Sequence, residues 1–153
     1  MIVVDTNIIC YLYLTGERSH QAEQLLSLDP HWCAPVLWRS EFRSVLSQYL
    51  RKNLLAFEDV LLILEQAEDL LSDNEYEVPS AYIMQMVNSS SCSSYDCEFV
   101  ALAGYLGIPL VTADKRLLRE FPEIAKPLKK RRSLDQHSAE TGLTQNTSRR
   151  AGL

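Results

Sequence analysis

Apolar and polar positions recur along the chain with two different periods. Ile2-Val3-Val4 is a β-branched run closed at once by Asp5, which predicts a short strand buried on both faces. A helix is expected over 6–14. A second is expected over 17–28, with Ala22, Leu25, Leu26 and Leu28 as its apolar side and Asp29-Pro30 as its stop. Trp32-Cys33-Ala34 reads as a short strand. From Val36 to Leu50 the residues Trp38, Phe42, Val45, Leu46 and Tyr49 fall on one helical face. The leucine- and isoleucine-rich stretch 57–71 predicts another helix, Tyr76-Glu77-Val78 a strand closed by Pro79, and 80–88 a further helix. A serine-rich turn, Ser89 to Ser94, leads into a helix over 95–106 that Gly107 ends. Ile108 to Thr112 reads as a strand, with Asp114 just beyond it and a short helix near 115–120.

Strands alternating with helices imply an α/β fold with a mainly parallel sheet and right-handed crossovers. The apolar periodicity stops near Lys129. The chain therefore divides into a folded unit over 1–128 and a basic, flexible extension over 129–153.

Charge sharpens this division. The formal net charge of −5 is the sum of an acidic body and a basic tail. Residues 1–125 carry 8 basic and 18 acidic side chains, whereas residues 126–153 carry 7 basic and 2 acidic. An acidic body argues against a simple DNA-coating protein. It leaves nucleic acid open as a substrate, because a bound metal can supply positive charge. The 153 residues suffice for one well-formed core, and the composition excludes a disulfide-rich mini-protein and a wholly disordered chain. No apolar run suits a membrane span, and the first residues lack a basic leader, so a cytoplasmic protein is expected. Cys10, Cys33, Cys92 and Cys97 form no CxxC pair and His20, His31 and His137 lie far apart, which disfavours zinc and leaves the cysteines as small buried thiols.

The acids that matter are placed by the pattern. Asp5 and Asp114 each follow a strand, and ligands of open α/β sheets bind outside the carboxyl ends of strands near the switch in strand order. Helix capping is the ordinary alternative for both. On the 95–106 helix, Asp96 lies about 50° from the centre of the apolar face and Glu98 roughly 110° from it, at 100° per residue. Asp96 is thus expected to face inward and Glu98 outward, although Ser93 could also cap Asp96. Glu41 falls at the edge of the buried face of the 36–50 helix, where solvated glutamates are also common. Arg39 and Arg43 are on the more exposed side of that helix, and with Lys115 they are candidate phosphate contacts. Four such carboxylates repel one another if ionised and close, and a divalent cation resolves the conflict. An oxygen-only ligand set points to Mg²⁺ or Mn²⁺, ions that activate water and stabilise phosphoryl charge.

These residues resemble a known family. Val3-Val4-Asp5-Thr6-Asn7, Ser40-Glu41, the run from Ser94 to Ala103 and the run from Pro109 to Leu117 resemble, in order, the four acidic motifs of PIN-domain ribonucleases. The match is most similar to VapC-type toxins of toxin–antitoxin pairs. It implies a three-layer, Rossmann-like fold with four or five mainly parallel strands, and Mg²⁺- or Mn²⁺-dependent endonuclease action on RNA. By the same resemblance Asp5, Glu41, Asp96 and Asp114 are the metal-binding, catalytic acids, supported by Thr6, Asn7 and Thr112. A homodimer and a small antitoxin partner are implied as well. The basic tail is outside this resemblance and reads either as an RNA-phosphate contact or as a solvated terminus.

Three other functions fit parts of the pattern. A PIN nuclease that processes RNA without being a toxin shares every motif. A signalling receiver domain needs paired acids after its first strand and an acceptor Asp on a middle strand, and neither stands here. A non-catalytic interaction domain would have no use for four such acids.

Overall fold

A computed structural model describes residues 1–130. Except for Lys129 and Lys130, the tail expected from residue 129 onward lies outside the described residues.

The chain runs β1 (Ile2–Val4), α1 (Thr6–Tyr13), α2 (Ser19–Leu28), β2 (Trp32–Pro35), α3 (Leu37–Arg51) and α4 (Phe57–Leu71). It continues through β3 (Glu75–Tyr76), α5 (Ser80–Asn88), α6 (Ser94–Leu106), β4 (Leu110–Thr112), α7 (Lys115–Glu120) and β5 (Ala125–Pro127). Among the described residues the sheet has five strands in the order β3-β2-β1-β4-β5, all parallel. With the right-handed crossovers general to parallel strands, this order carries α1–α4 over one face and α5–α7 over the other, giving three layers. β1 is central because Ile2-Val3-Val4 is apolar on both faces, and all three residues are buried.

The core is built where the sequence places large apolar side chains. Trp32, Trp38, Phe42, Phe99, Ile8 and Leu46 are fully enclosed. Gly107 ends α6 in the left-handed region at φ 66°, where a side chain would be strained. Ser93 caps the other end of α6, its hydroxyl accepting from the Asp96 N–H at 3.1 Å.

Most elements fall where periodicity put them, and the departures have identifiable causes. β3 is Glu75–Tyr76, one residue earlier than expected, because its backbone pairs with Ala34 and Pro35 and that ladder sets the register. β4 starts at Leu110 instead of Ile108. β5 was not anticipated. Ala-Lys-Pro has no β-branched residue, and the strand exists through its pairing with β4. Leu28, expected on the apolar side of α2, is 83% exposed, so the last turn of that helix projects past the core.

Burial predicts a sharp contrast. Phe42→Ala should cost about 3–5 kcal/mol. Leu28→Ala should stay within about 0.5 kcal/mol. Urea unfolding of the two variants checks this.

Candidate functional site

β1 ends at Asp5 and β4 ends two residues before Asp114, and these strands are neighbours in the sheet. From here α1 leaves for one face and α7 for the other, so the crevice of the α/β fold opens between them. Both acids also cap the helix that follows. Asp5 Oδ1 accepts from the Thr6 N–H at 2.8 Å, and Asp114 Oδ1 accepts from the Arg116 and Leu117 N–H groups at 2.8 and 3.1 Å. Capping and a place at the strand edge, alternatives in the sequence, coincide in the fold.

A hydrogen-bond network joins the two loops. The Thr112 hydroxyl donates to Asp5 Oδ2 at 2.7 Å and accepts from the Asp114 N–H at 3.0 Å. Asn7 donates through Nδ2 to Asp5 Oδ2 at 3.3 Å, and its Oδ1 accepts from the Ala113 N–H at 3.4 Å. The Thr6 hydroxyl donates to Glu41 Oε1 at 2.8 Å, bringing α3 to the same place. Every donor in this network is neutral, so the hydrogen bonds orient the carboxylates without cancelling their charge.

The electrostatics show which acids share the site. Burial pushes the Asp5 carboxyl up to about 6; the bonds from Thr112 and Thr6 oppose this, and the charges of Glu41 and Asp96 add to it. Glu41 is raised by burial, against its bond from Thr6, and also by Asp96 and Glu98. Asp96 is raised by burial and by Asp114, with Ser93 and Arg116 pulling the other way. Glu41 and Asp96 thus act on Asp5, Asp96 on Glu41, and Asp114 on Asp96. Their donor set is oxygen only, which is the kind that suits Mg²⁺ or Mn²⁺. Among the described residues no three His, Cys, Asp or Glu side chains converge closely enough to hold an ion. The Asp5, Glu41 and Asp114 carboxylates are instead turned toward their own hydrogen-bond donors.

Two residues of this neighbourhood lie inside the motif runs but were not among the candidate site residues. Glu98, expected to face solvent, is partly buried, and its charge acts on Glu41. The wheel failed because α6 is buried nearly all round, with Cys97, Phe99, Val100, Ala101, Leu102 and Ala103 all enclosed, so it has no single apolar centre to measure from. Arg116 is exposed on the first turn of α7, and its charge acts on Asp96. The basic pair after Asp114 was its trace in the sequence.

The three candidate phosphate contacts fare differently. Arg39 is engaged elsewhere: it grips Glu75 with two bonds, of 2.7 and 2.6 Å, and meets Glu68 at 3.1 Å. That fork ties α3 to β3 and α4. Arg43 is exposed, with one bond to Ser40 at 3.2 Å, and Lys115 is exposed beside Asp114. Cys10, near Asp5 and Glu41, has its thiol pushed up to about 12 by burial and by those two charges, so it stays protonated and is no nucleophile. Cys33, Cys92 and Cys97 are buried free thiols.

A family model described as the PIN domain matches residues 2–126. The chain belongs to the PIN-domain family. Its sequence is similar to that of Ribonuclease VapC3 of Pyrobaculum aerophilum, at 29% identity over 129 residues that cover 82% of this chain and 98% of that protein. The PIN fold is matched by a crystal structure of a protein from Pyrobaculum aerophilum, with TM-score 0.67 and 16% identity over 83% of this chain and 90% of that one. A toxin–antitoxin complex from Klebsiella pneumoniae matches with TM-score 0.63 and 15% identity, covering 82% of this chain and 96% of that one. At such identities the two structures speak for the fold alone. Among the described residues no helix of this PIN domain is long and apolar enough to cross a membrane.

The raised Asp5 carboxyl makes a signed prediction. Its folded value of about 6 lies above the ordinary 3.8, so the ionised form destabilises the fold. The cost is absent below the ordinary value, grows as pH rises and levels off above about 6. Asp5→Asn should therefore gain stability near pH 7.5, by up to about 3 kcal/mol, and lose most of that advantage near pH 4. Urea unfolding of both proteins at the two pH values measures it.

Proposed function

We propose that this PIN domain is an Mg²⁺- or Mn²⁺-dependent endoribonuclease and the toxin of a toxin–antitoxin pair. The observation that supports the reading is the hydrogen-bond network at the carboxyl ends of β1 and β4, which links Asp5 and Asp114 through Thr112 and brings Glu41 in through Thr6, with the charge of Asp96 acting on Asp5 and Glu41. The name of the Pyrobaculum relative supports ribonuclease action, and the Klebsiella complex supports an antitoxin partner. The family resemblance adds a homodimer. The folded unit is proposed to end near residue 128.

Asp5, Asp96 and Asp114 would hold the ion, with Glu41 completing the set or orienting the attacking water. When bound, the ion supplies positive charge to the phosphoryl oxygens and lowers the pKa of a coordinated water. The protein's own contribution is orientation. Thr112 and Thr6 fix the Asp5 and Glu41 oxygens, and Asn7 holds the β1 and β4 loops together. Arg116, exposed beside Asp96, is the better placed cation for a substrate phosphate, with Arg43 and Lys115 at the periphery. Arg39 is left out because its guanidinium is already paired. Glu98 adds negative charge next to Glu41 and favours a cation at that end.

Asp5→Asn and Asp96→Asn should each abolish Mg²⁺-dependent cleavage of total RNA while circular dichroism shows an intact fold. Full metal-dependent activity in Asp5→Asn would sink the mechanism. Adding Mn²⁺ should raise the melting temperature of the wild type and do so less in either variant. Arg116→Ala should raise KM several-fold and make binding less salt-dependent, with little change in kcat.

A further inference from the structure

The three-layer arrangement leaves a groove between α2 and the β5 edge of the sheet. α1, α3 and α4 pack with one another, α3 and α4 on β2 and α1 on β4. α6 packs on β1, β2 and β4, and α7 on β5. α1 reaches β4, and beyond it, between α2 and β5, lies the open groove of about 1110 Å³. Register explains its lining. Val111 pairs with Lys126, so these residues share a face, and Pro109 and Leu128, just outside the two strands, line the same groove. Ile2, Val111 and Leu128 form the floor, and Leu25 and Leu28 of α2 form the wall. Leu28 is the residue that projects past the core at 83% exposure.

The charge of this groove is opposite to that of the body. Lys126, Lys129 and Lys130 line it, whereas residues 1–125 carry 18 acids against 8 bases. The one acid among the described lining residues, Asp29, is neutralised by the Met1 ammonium at 3.0 Å. Lys126 reaches back to the Pro122 carbonyl at 3.0 Å, which places its charge at the rim. The volume exceeds the roughly 300–1,000 Å³ of a small-molecule pocket. The chain's own segment from 131 onward is a poor occupant on charge, since Arg131, Arg132, Arg149 and Arg150 outnumber its acids.

We propose that the groove between α2 and β5 docks an acidic amphipathic helix of a partner protein. The helix's apolar residues meet Leu25, Leu28 and Leu128, and its flanking carboxylates meet the three lysines. The apolar floor and wall favour a peptide over RNA, whose phosphates would use the lysines but leave the leucines unmet. The surface is separate from the carboxylate edge, so the proposal stands whether or not the nuclease reading holds.

The test uses the full chain with labelled methyl groups and a designed fifteen-residue helical peptide bearing leucine on one face and glutamate on its flanks. Saturable binding with shifts confined to Leu25, Leu28, Leu128 and Val111 is expected. Leu28→Asp and the double variant Lys126→Glu, Lys129→Glu should each weaken it at least tenfold, while Leu61→Asp on the exposed side of α4 leaves it unchanged. A peptide with lysine in place of glutamate should bind at least tenfold more weakly. The proposal is overturned if no saturable binding occurs up to millimolar peptide, or if neither groove variant weakens it. Displacement of the peptide at lower concentration by a single-stranded RNA of equal charge would also overturn it and would reassign the groove to nucleic acid. Leu28 is so exposed that its variant should melt like the wild type, which keeps binding loss distinct from unfolding.

Discussion

The hydrogen bond from the Thr112 hydroxyl to Asp5 joins residues 107 positions apart, and the geometry of the site depends on it. It can form only because β1 and β4 are neighbours, with the Asp5 N–H donating to the Val111 carbonyl at 3.0 Å. That neighbourhood is the switch in strand order, where successive crossovers turn to opposite faces and leave a crevice. Thr112 also accepts from the Asp114 N–H, so one buried hydroxyl sets the positions of both strand-end acids.

The site works against the stability of the fold that carries it. Asp5 is buried at the end of an all-apolar strand, and its neighbours in space include other acids. Neutral donors satisfy its oxygens yet leave its charge to oppose that of Glu41 and Asp96. The large aromatic core under α3 and α6 offsets this cost. Structural and chemical duties are also shared by the same atoms: Asp5 and Asp114 cap α1 and α7 while facing the crevice, so the backbone that positions them is held by the carboxylates themselves.

Arg39 and Glu98 show how local pattern can mislead. Both were read from helix angle alone. Arg39 looked free on the outer side of its helix, but β3 and α4 bring Glu75 and Glu68 against it. Glu98 looked solvated, but α6 packs on most of its circumference and Glu41 approaches from α3. A helical wheel assumes one buried side, and a helix lying between a sheet and a neighbouring helix does not have one.

By itself the sequence determined the local elements and the identity of the chemistry. Apolar period told strand from helix for nearly every element, and the acids after Val4 and Thr112 marked the reactive edge before any packing was known. Tertiary structure alone decided which of those acids feel one another, which arginine is already paired, and where the last strand lies. It also decided that a groove stays open between α2 and β5. The reason is physical: periodicity is a property of neighbours along the chain, whereas pairing, burial and electrostatic coupling depend on residues that only the folded sheet brings together.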